Sequence, residues 1–212
     1  MSMPLLILLF GFLYALLVGL LSFLRREGLS AQFAIESILI TLIFSALAAF
    51  TSIVVHPVLF LIIIYLITMR VRLLVDVGNS FAKRSNFKMA ENIYNLATRL
   101  WPDRAGRLIV DINRGTLCLQ KGDLDGSIEA FKAILEKTDQ GHLGAKYEAA
   151  AHFNLGQAYR RKDLEAQAIV EFNNVLDTWP ASEYAHHAAN MLAHSRLKIK
   201  PAESDKDTPD KV

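Results

Sequence analysis

The chain has 212 residues, of which 52% are hydrophobic and 21% are charged, and its formal net charge is +2. This slight positive balance, without a basic stripe interleaved with aromatic residues, argues against a nucleic-acid-binding protein. The apolar residues are concentrated in the first third of the chain, which indicates a membrane part followed by a soluble part.

Two apolar segments lie near the N-terminus. Residues 4–24 carry no charge, and residues 33–68 carry only Glu36 and His56. Each segment reaches the roughly 20 apolar residues that span a bilayer core of about 30 Å. The first segment is too long for the apolar region of a signal peptide and is followed by two arginines rather than a small-residue cleavage site. We therefore expect it to be a retained transmembrane helix.

The second segment is too long for a single helix. Residues 33–68 would form a helix of roughly 54 Å at about 1.5 Å per residue. Pro57 has no amide proton and disfavours the helical conformation for the residue before it, yet it suits the first turn of a new helix. The sequence therefore predicts a turn near His56 and two helices, at about 33–54 and 57–70.

The distribution of cations supports two crossings for this second segment. Lysine and arginine near membrane segments tend to stay in the cytoplasm. Both cationic groups are cytoplasmic only if an even number of crossings separates them, which predicts three transmembrane helices with the C-terminal part in the cytoplasm. Because residues 57–68 are few, a re-entrant hairpin is the alternative. The cations are Arg25 and Arg26 after the first segment, and Arg70, Arg72, Lys83 and Arg84 after the last.

Small and polar residues in these segments have two interpretations each. His56 is a candidate proton-relay residue, but a polar cap on the turn is favoured, and Glu36 lies near enough to the start of its helix to reach the headgroups. Gly11, Ala15 and Gly19 are spaced four apart. They form a small-residue face on which a helix can pack, either within the bundle or in a homo-oligomer.

An internal repeat occupies the soluble part. Three glycines are each followed by a small residue twelve positions later and by an aromatic residue sixteen positions later. A glycine facing a small residue lets two helices approach closely, and the aromatic ring fills the space beside them. The signature consists of Gly78, Ala90, Tyr94, Ala97, Pro102, Gly115, Ser127, Phe131, Gly156, Tyr159, Ala168, Phe172 and Pro180.

These positions resemble the tetratricopeptide repeat (TPR) family, whose pattern recurs about every 34 residues. The resemblance implies an all-α fold, an α-solenoid of about three helix pairs over 71–104, 108–141 and 149–182. Such pairs must stack to bury their apolar faces. A capping helix over 182–198 would close a domain that begins at residue 71, and the polar residues 199–212 are predicted to be disordered.

The connections between helices carry further expectations. Asn86, Asp123 and Asp163 lie between the two helices of successive pairs, where their side chains are expected to cap the second helix. Trp101 and Trp179 each precede a proline that ends a pair, and we expect both indoles to pack against the next helix.

The resemblance also implies a binding function. In this family, the first helix of each pair lines a concave face that holds a peptide or a helix of a partner protein. No catalytic motif, metal-ligand spacing or cofactor-binding loop is present, so we do not expect an enzyme. The expected lining residues are Arg72, Val75, Asn79, Ile109, Ile112, Thr116, Phe153, Gln157 and Arg160.

Two functions from different classes are compatible with this pattern. The first is a membrane-anchored adaptor or scaffold, in which a nearly continuous helix from Pro57 to Ser85 holds the repeats against the bilayer of a bacterial cytoplasmic membrane. The second is a subunit of a channel or transporter, in which the repeats form a regulatory domain. The last repeat resembles those of periplasmic assembly factors, but we give the arginine distribution more weight because it has a physical mechanism.

Overall fold

In the computed structural model, the residues described are 2–24, 30–51, 55–137 and 144–204, and for residues 195–204 only the backbone is described. They form ten α-helices and no strand, which confirms the predicted all-α class. The chain divides into two compact units, residues 1–114 and 115–212. The helices are α1 (Met3–Leu24), α2 (Ala31–Phe50), α3 (Pro57–Thr68), α4 (Arg70–Lys83), α5 (Phe87–Arg99), α6 (Arg104–Lys121), α7 (Leu124–Glu136), α8 (Ala145–Arg161), α9 (Glu165–Thr178) and α10 (Glu183–Ser204).

Helices α1 and α2 are each long and apolar enough to cross a membrane. Among the described residues, α3 alone is too short to meet the same criterion of length and hydropathy, and α3 and α4 meet it only together, although they are bent by 70° relative to each other. Helix α2 begins at Ala31 rather than residue 33, because the Ser30 hydroxyl accepts a hydrogen bond from the Phe33 amide at 3.1 Å. It ends at Phe50, and the predicted end at residue 54 lies outside the described residues.

The first three helices pack as an antiparallel bundle. The Ser45 hydroxyl near the end of α2 donates to the Pro4 carbonyl at the start of α1, at 3.2 Å. Tyr14, in the middle of α1, has its hydroxyl 2.6 Å from that of Thr68, the last residue of α3, whereas Ile7 near the start of α1 shares a core with Val55 just before α3. Helices α1 and α3 therefore run in the same direction and α2 runs against both. Their common core is formed by Ile7, Val55, Phe60 and Ile64, with Phe10, Tyr14, Ile40, Phe44, Ala48 and Leu61 packed around it.

The glycines of the predicted small-residue face of α1 have different surroundings. Gly11 is buried, and a Cβ atom there would overlap the Thr41 side chain of α2. A Cβ atom at Gly19 would meet no atom of the described residues within 4 Å. Gly11 thus serves the internal bundle, whereas Gly19 does not contact a neighbouring helix.

The turn before α3 follows the sequence prediction. His56 is the N-cap residue of α3, with its ring Nδ1 accepting a hydrogen bond from the Val58 amide at 3.3 Å. Pro57 occupies the first helical position, where its missing amide proton costs nothing. The favoured interpretation of His56 as a polar cap is confirmed.

The nearly continuous helix expected from Pro57 to Ser85 is wrong, because the chain bends by 70° between α3 and α4. Met69 at the bend has φ −97° and ψ 6°, outside the helical range. The Thr68 hydroxyl donates to the Ile64 carbonyl at 2.7 Å, and the Arg70 guanidinium donates to the Ile67 carbonyl at 2.8 Å. Side chains that bind helix carbonyls in this way commonly bend a helix.

Three helix pairs share one packing contact. A Cβ atom at Gly156 in α8 would lie 2.8 Å from the Phe172 ring of α9. The same contact recurs between Gly115 and the Phe131 ring at 2.8 Å, and between Gly78 and the Tyr94 ring. All three aromatic side chains are almost fully buried. The glycines are therefore needed for close approach of the paired helices, as the sequence spacing predicts.

The turns inside these pairs also repeat. The seventh residue after each glycine has a positive φ: 59° at Ser85, 84° at Gly122 and 59° at Asp163. The next amide donates to the carbonyl five residues before it in every case, closing a Schellman-type end on the first helix.

One predicted cap is therefore misplaced. Asn86 and Asp123 cap α5 and α7 by accepting from the Met89 and Gly126 amides at 3.3 and 3.0 Å. The equivalent residue before α9 is Leu164, which has no side-chain acceptor, whereas Asp163 is the left-handed residue of the turn. Counting eight residues from Gly156 identifies Leu164.

The ends of the pairs differ from expectation at two places. Trp101 does not pack against the next helix, because its side chain is 81% exposed and its φ is 53°. Ser182 caps α10, accepting from the Ala185 amide at 3.0 Å. Helix α10 continues to Ser204, so residues 199–204 are helical rather than disordered. Residues 205–212 lie outside the described residues, as do residues 138–143 between α7 and α8.

Candidate functional site

Five hydrogen bonds hold the Arg70 side chain in the first unit. Its guanidinium forms a bidentate pair with Glu36, with nitrogen to oxygen distances of 2.6 and 2.9 Å. It also donates to the carbonyls of Leu100 at 2.8 Å, Trp101 at 2.9 Å and Ile67 at 2.8 Å. These five bonds use all five N–H donors that a guanidinium has. One side chain therefore connects α2, the end of α3 and the segment between α5 and α6.

Glu36 receives a second donor from its own helix. Gln32, one turn earlier in α2, donates to the Glu36 carboxylate at 2.8 Å and to the Trp101 carbonyl at 3.0 Å. The Glu36 and Arg70 side chains are about a quarter exposed, at 26% and 22%. The negative charge of Glu36 and the positive charge of Arg70 neutralise each other. We call Gln32, Glu36, Arg70 and the carbonyls of Leu100 and Trp101 the Arg70 joint.

Sequence reasoning missed this joint, since it assigned Glu36 to the headgroups and Arg70 to the cytoplasmic cations. The signal was present in the predicted turn at His56. An antiparallel α2 and α3 bring the start of one helix beside the end of the other, so an acid at residue 36 and a base at residue 70 meet. The contact to Leu100 and Trp101 depends on the 70° bend, which no local pattern indicates.

A cavity of ≈ 320 Å³ lies beside the joint within the first unit. Small side chains of α1 form one wall, and the first turns of α2 form another. Gly19 belongs to the first wall, which explains why a Cβ atom there would meet open space. The lining includes Ala15, Val18, Gly19 and Ser22 of α1, Ser30 to Ala34 and Glu36, Thr68 to Arg72, and Asp103, Ala105 and Gly106.

The residues expected to line a binding face differ in exposure. Val75 is 2% exposed and Phe153 is 8% exposed, so both side chains belong to the core rather than to a free surface. Phe153 packs against the Phe172 and Tyr184 rings at 5.9 and 5.7 Å. Arg160 is exposed, and the remaining six are half-buried: Arg72, Asn79, Ile109, Ile112, Thr116 and Gln157.

Asn79 has a structural partner within the first unit. The Tyr94 hydroxyl donates to its side-chain oxygen at 2.6 Å. Burial raises the pKa of Tyr94 to about 12, because the ring is enclosed and the phenolate would lose its hydration. This bond holds α4 against α5 beside the Gly78 contact, so Asn79 contributes to the pair itself.

The second unit contains a pair of titratable side chains between α8 and α9. His152 Nδ1 lies 2.6 Å from a Glu171 carboxylate oxygen, and both side chains are 16% exposed. In the same unit, Arg160 contacts the Met191 sulfur of α10. Burial, followed by the charge of Glu183, raises the pKa of Tyr184. These contacts join α8, α9 and α10 to one another.

No group of three or more His, Cys, Asp or Glu side chains is positioned to hold a metal ion in the part of the chain that the structure describes. Neither a protein-family model nor a curated protein matches this chain.

Proposed function

We propose that this protein is a membrane-anchored adaptor that binds a protein or peptide partner through tetratricopeptide-like helix pairs. Helices α1 to α3 hold it in the bilayer, and α4 to α10 form an α-solenoid of about three pairs with a closing helix. The partner occupies the face lined by the first helix of each pair. The proposal assigns no catalytic step, metal or cofactor.

Support for the repeat assignment comes from two features that recur together. The glycine and aromatic contact is found in three pairs at the same sixteen-residue spacing. The left-handed residue seven positions after the glycine and the carbonyl bond that follows it recur as well. Shared packing and shared turn geometry are what a repeat built from one supersecondary unit requires.

The Arg70 joint is the observation that carries the anchoring function. A flexible linker would let a soluble domain move freely beside the membrane. Here the guanidinium bonds to Glu36 of α2 and to two carbonyls after α5 at once. The first helix pair is therefore fixed directly to the apolar bundle, as an adaptor that presents a partner at the membrane surface requires.

The binding face is best represented by the side chains that stay accessible in each unit. In the second unit these include Gln157, which is half-buried, and Arg160, which is exposed, one turn apart on α8. In the first unit the half-buried Ile109 and Ile112 lie on α6. A face that combines apolar and polar side chains of this kind suits an amphipathic peptide or helix.

A partner on this face is testable in intact membranes with the full chain. A photo-crosslinking amino acid replaces Gln157 in one variant and Ile112 in another, and Val170, 56% exposed on α9, in the control. We expect a discrete adduct of the same mass from both face positions and none from the control. Adducts at none of the positions, or equally at all three, would contradict the proposed binding face.

For topology we propose three crossings with the repeats in the cytoplasm. The antiparallel α2 and α3 and the joint at their shared end support it. In a Cys118→Ser background, single cysteines at Val58 and Met89 report on the two sides. We expect an impermeant thiol reagent to label Val58→Cys from outside only and Met89→Cys from inside only. Labelling of both from one side would identify a re-entrant hairpin.

The channel or transporter alternative depended on Glu36 and His56. Glu36 is paired with Arg70, and His56 caps α3. Both residues have structural roles, so they give this alternative no separate support.

A further inference from the structure

Trp101 combines two unfavourable features. Its side chain is 81% exposed, and its φ of 53° places a bulky residue in the left-handed region. A large side chain rarely adopts this backbone conformation, which persists only where the surroundings enforce it. The Trp101 carbonyl is held by both Arg70 and Gln32, at 2.9 and 3.0 Å. Two hydrogen bonds thus hold the Trp101 backbone in this conformation, in which the indole is exposed.

These hydrogen bonds also determine where Trp101 lies relative to α2. Gln32 belongs to the first turn of a helix whose 20 residues, Ala31–Phe50, cover about 30 Å, the thickness of a bilayer core. A residue bonded to Gln32 consequently lies level with one end of the span. Indole rings concentrate at this depth, because the ring is apolar and its N–H prefers the polar boundary.

The neighbours of Trp101 have the composition of a membrane-facing surface. Leu100 beside it is 38% exposed. Arg99, Arg104 and Arg107 are all exposed, and the Arg107 Nε donates to the Pro102 carbonyl at 3.2 Å. Exposed arginines around an exposed indole favour the phosphates of phospholipid headgroups. We call residues 99–107 the Trp101 corner.

We propose that the Trp101 corner is a second membrane attachment, in which the indole of Trp101 inserts at the headgroup boundary of the bilayer that α2 crosses. This inference rests on the proposed crossing by α2. It assigns phospholipid as the occupant of a surface that the repeat resemblance would give to packing against the next helix. With the indole inserted, the first helix pair is attached to the bilayer through the Arg70 joint and also through the lipid.

Tryptophan fluorescence tests the proposal directly, because the chain contains only Trp101 and Trp179. The full-length Trp179→Phe variant, reconstituted in phosphatidylcholine vesicles, leaves Trp101 as the sole indole. Lipids carrying a nitroxide near the headgroup, or near the end of the acyl chain, quench an indole according to its depth. We expect Trp101 to emit to the blue of a water-exposed indole and to lose at least half of its intensity to the shallow label. The acyl-end label and aqueous acrylamide should quench it less.

Two results would overturn the proposal: strongest quenching by aqueous acrylamide, or strongest quenching by the acyl-end label. If Trp179→Phe does not fold, subtracting the Trp101→Phe signal from the unmodified protein isolates the same indole. Flotation of the vesicles after an alkaline carbonate wash separates the two proposals. Protein lost in the wash contradicts the membrane crossing, whereas retained protein with a water-exposed Trp101 contradicts only the corner.

Discussion

Helix α2, which packs on α1, and helix α9, which packs on α8, bury different kinds of side chain. In α2 the buried residues are Ser37, Thr41 and Ser45, while large apolar side chains such as Phe50 point outward. In α9 the buried residues are Ala168, Phe172 and Val175. Both pairs use a glycine for close approach, but in α1 it meets the hydroxyl-bearing Thr41 and in α8 it meets an aromatic ring.

This contrast is what we expect if α1 and α2 lie in a bilayer and α8 and α9 lie in water. Lipid tails are as apolar as leucine, so small residues and satisfied hydroxyls favour close packing between helices in a bilayer. In the bundle they add to an apolar core of Ile7, Phe60 and Ile64. The hydroxyls of Ser37 and Thr41 donate to carbonyls four residues earlier, at 2.8 and 2.7 Å. In water, burial of large apolar side chains is the dominant stabilising term. Both pairs are closely packed at a glycine, but different residues form the contact.

The largest expected effect comes from removing an aromatic ring from the packing between α8 and α9. Phe172→Ala removes a fully buried ring that packs on Gly156 and leaves a cavity. We expect the free energy of unfolding to fall by about 3–5 kcal/mol, measured by chemical denaturation of the full chain in detergent. The control Val170→Ala, on the same helix but 56% exposed, should change it by less than about 0.5 kcal/mol. Similar losses for both variants would refute the assigned core.

A charge on the outward face of α1 tests the membrane side. Leu13 is 47% exposed and lies at the middle of α1. If lipid covers it, Leu13→Arg should disfavour insertion by about 2.5–3.5 kcal/mol, seen as loss of membrane-integrated protein. The matched change Val170→Arg should leave integration unchanged. Normal integration of Leu13→Arg would mean that this face does not meet lipid.

Removing one partner of the Arg70 joint should have the next largest effect. Arg70→Met leaves the Glu36 carboxylate without its guanidinium, and we expect a loss of about 2–3 kcal/mol in unfolding free energy. The double variant Glu36→Gln and Arg70→Met should recover part of that loss, because no unpaired charge remains. The single variant Glu36→Gln completes the comparison. If the double variant loses as much unfolding free energy as the two single variants lose in total, the two side chains act independently.

The smallest expected effect is the difference between the same substitution made at two glycines of α1. Gly11→Ala places a methyl group against Thr41, and such overpacking typically costs about 1–3 kcal/mol. Gly19→Ala adds the same group in open space, so we expect no destabilisation. Thermal unfolding of the two variants in detergent gives the comparison. Equal destabilisation by both would imply that Gly19 also faces a helix.

The sequence predicted what local patterns determine. The all-α class, the His56 cap, the Pro57 helix start and the glycine and aromatic spacing all depend on residues close in the chain. The Arg70 joint was missed because its partners are 34, 30 and 31 residues away, and because the carbonyls of Leu100 and Trp101 reach Arg70 only when the bend at Met69 forms. Trp101 was misassigned because its backbone conformation is imposed by hydrogen bonds to its carbonyl from Arg70 and Gln32. The burial of Val75 and Phe153 was also missed, because helical periodicity does not show which side chains the other helices cover.

The central claim is that the Arg70 joint fixes the first helix pair to the apolar bundle. Spin labels at Leu39 of α2 and Met89 of α5, in the full chain with Cys118→Ser in lipid nanodiscs, measure the distance between these two parts by double electron–electron resonance. Both side chains are exposed, at 53% and 41%. We expect one narrow distance distribution, which broadens when Glu36→Gln and Arg70→Met are introduced together. A broad distance distribution in the labelled protein with an intact Arg70 joint would contradict the account. So would a narrow distribution that the double substitution leaves unchanged.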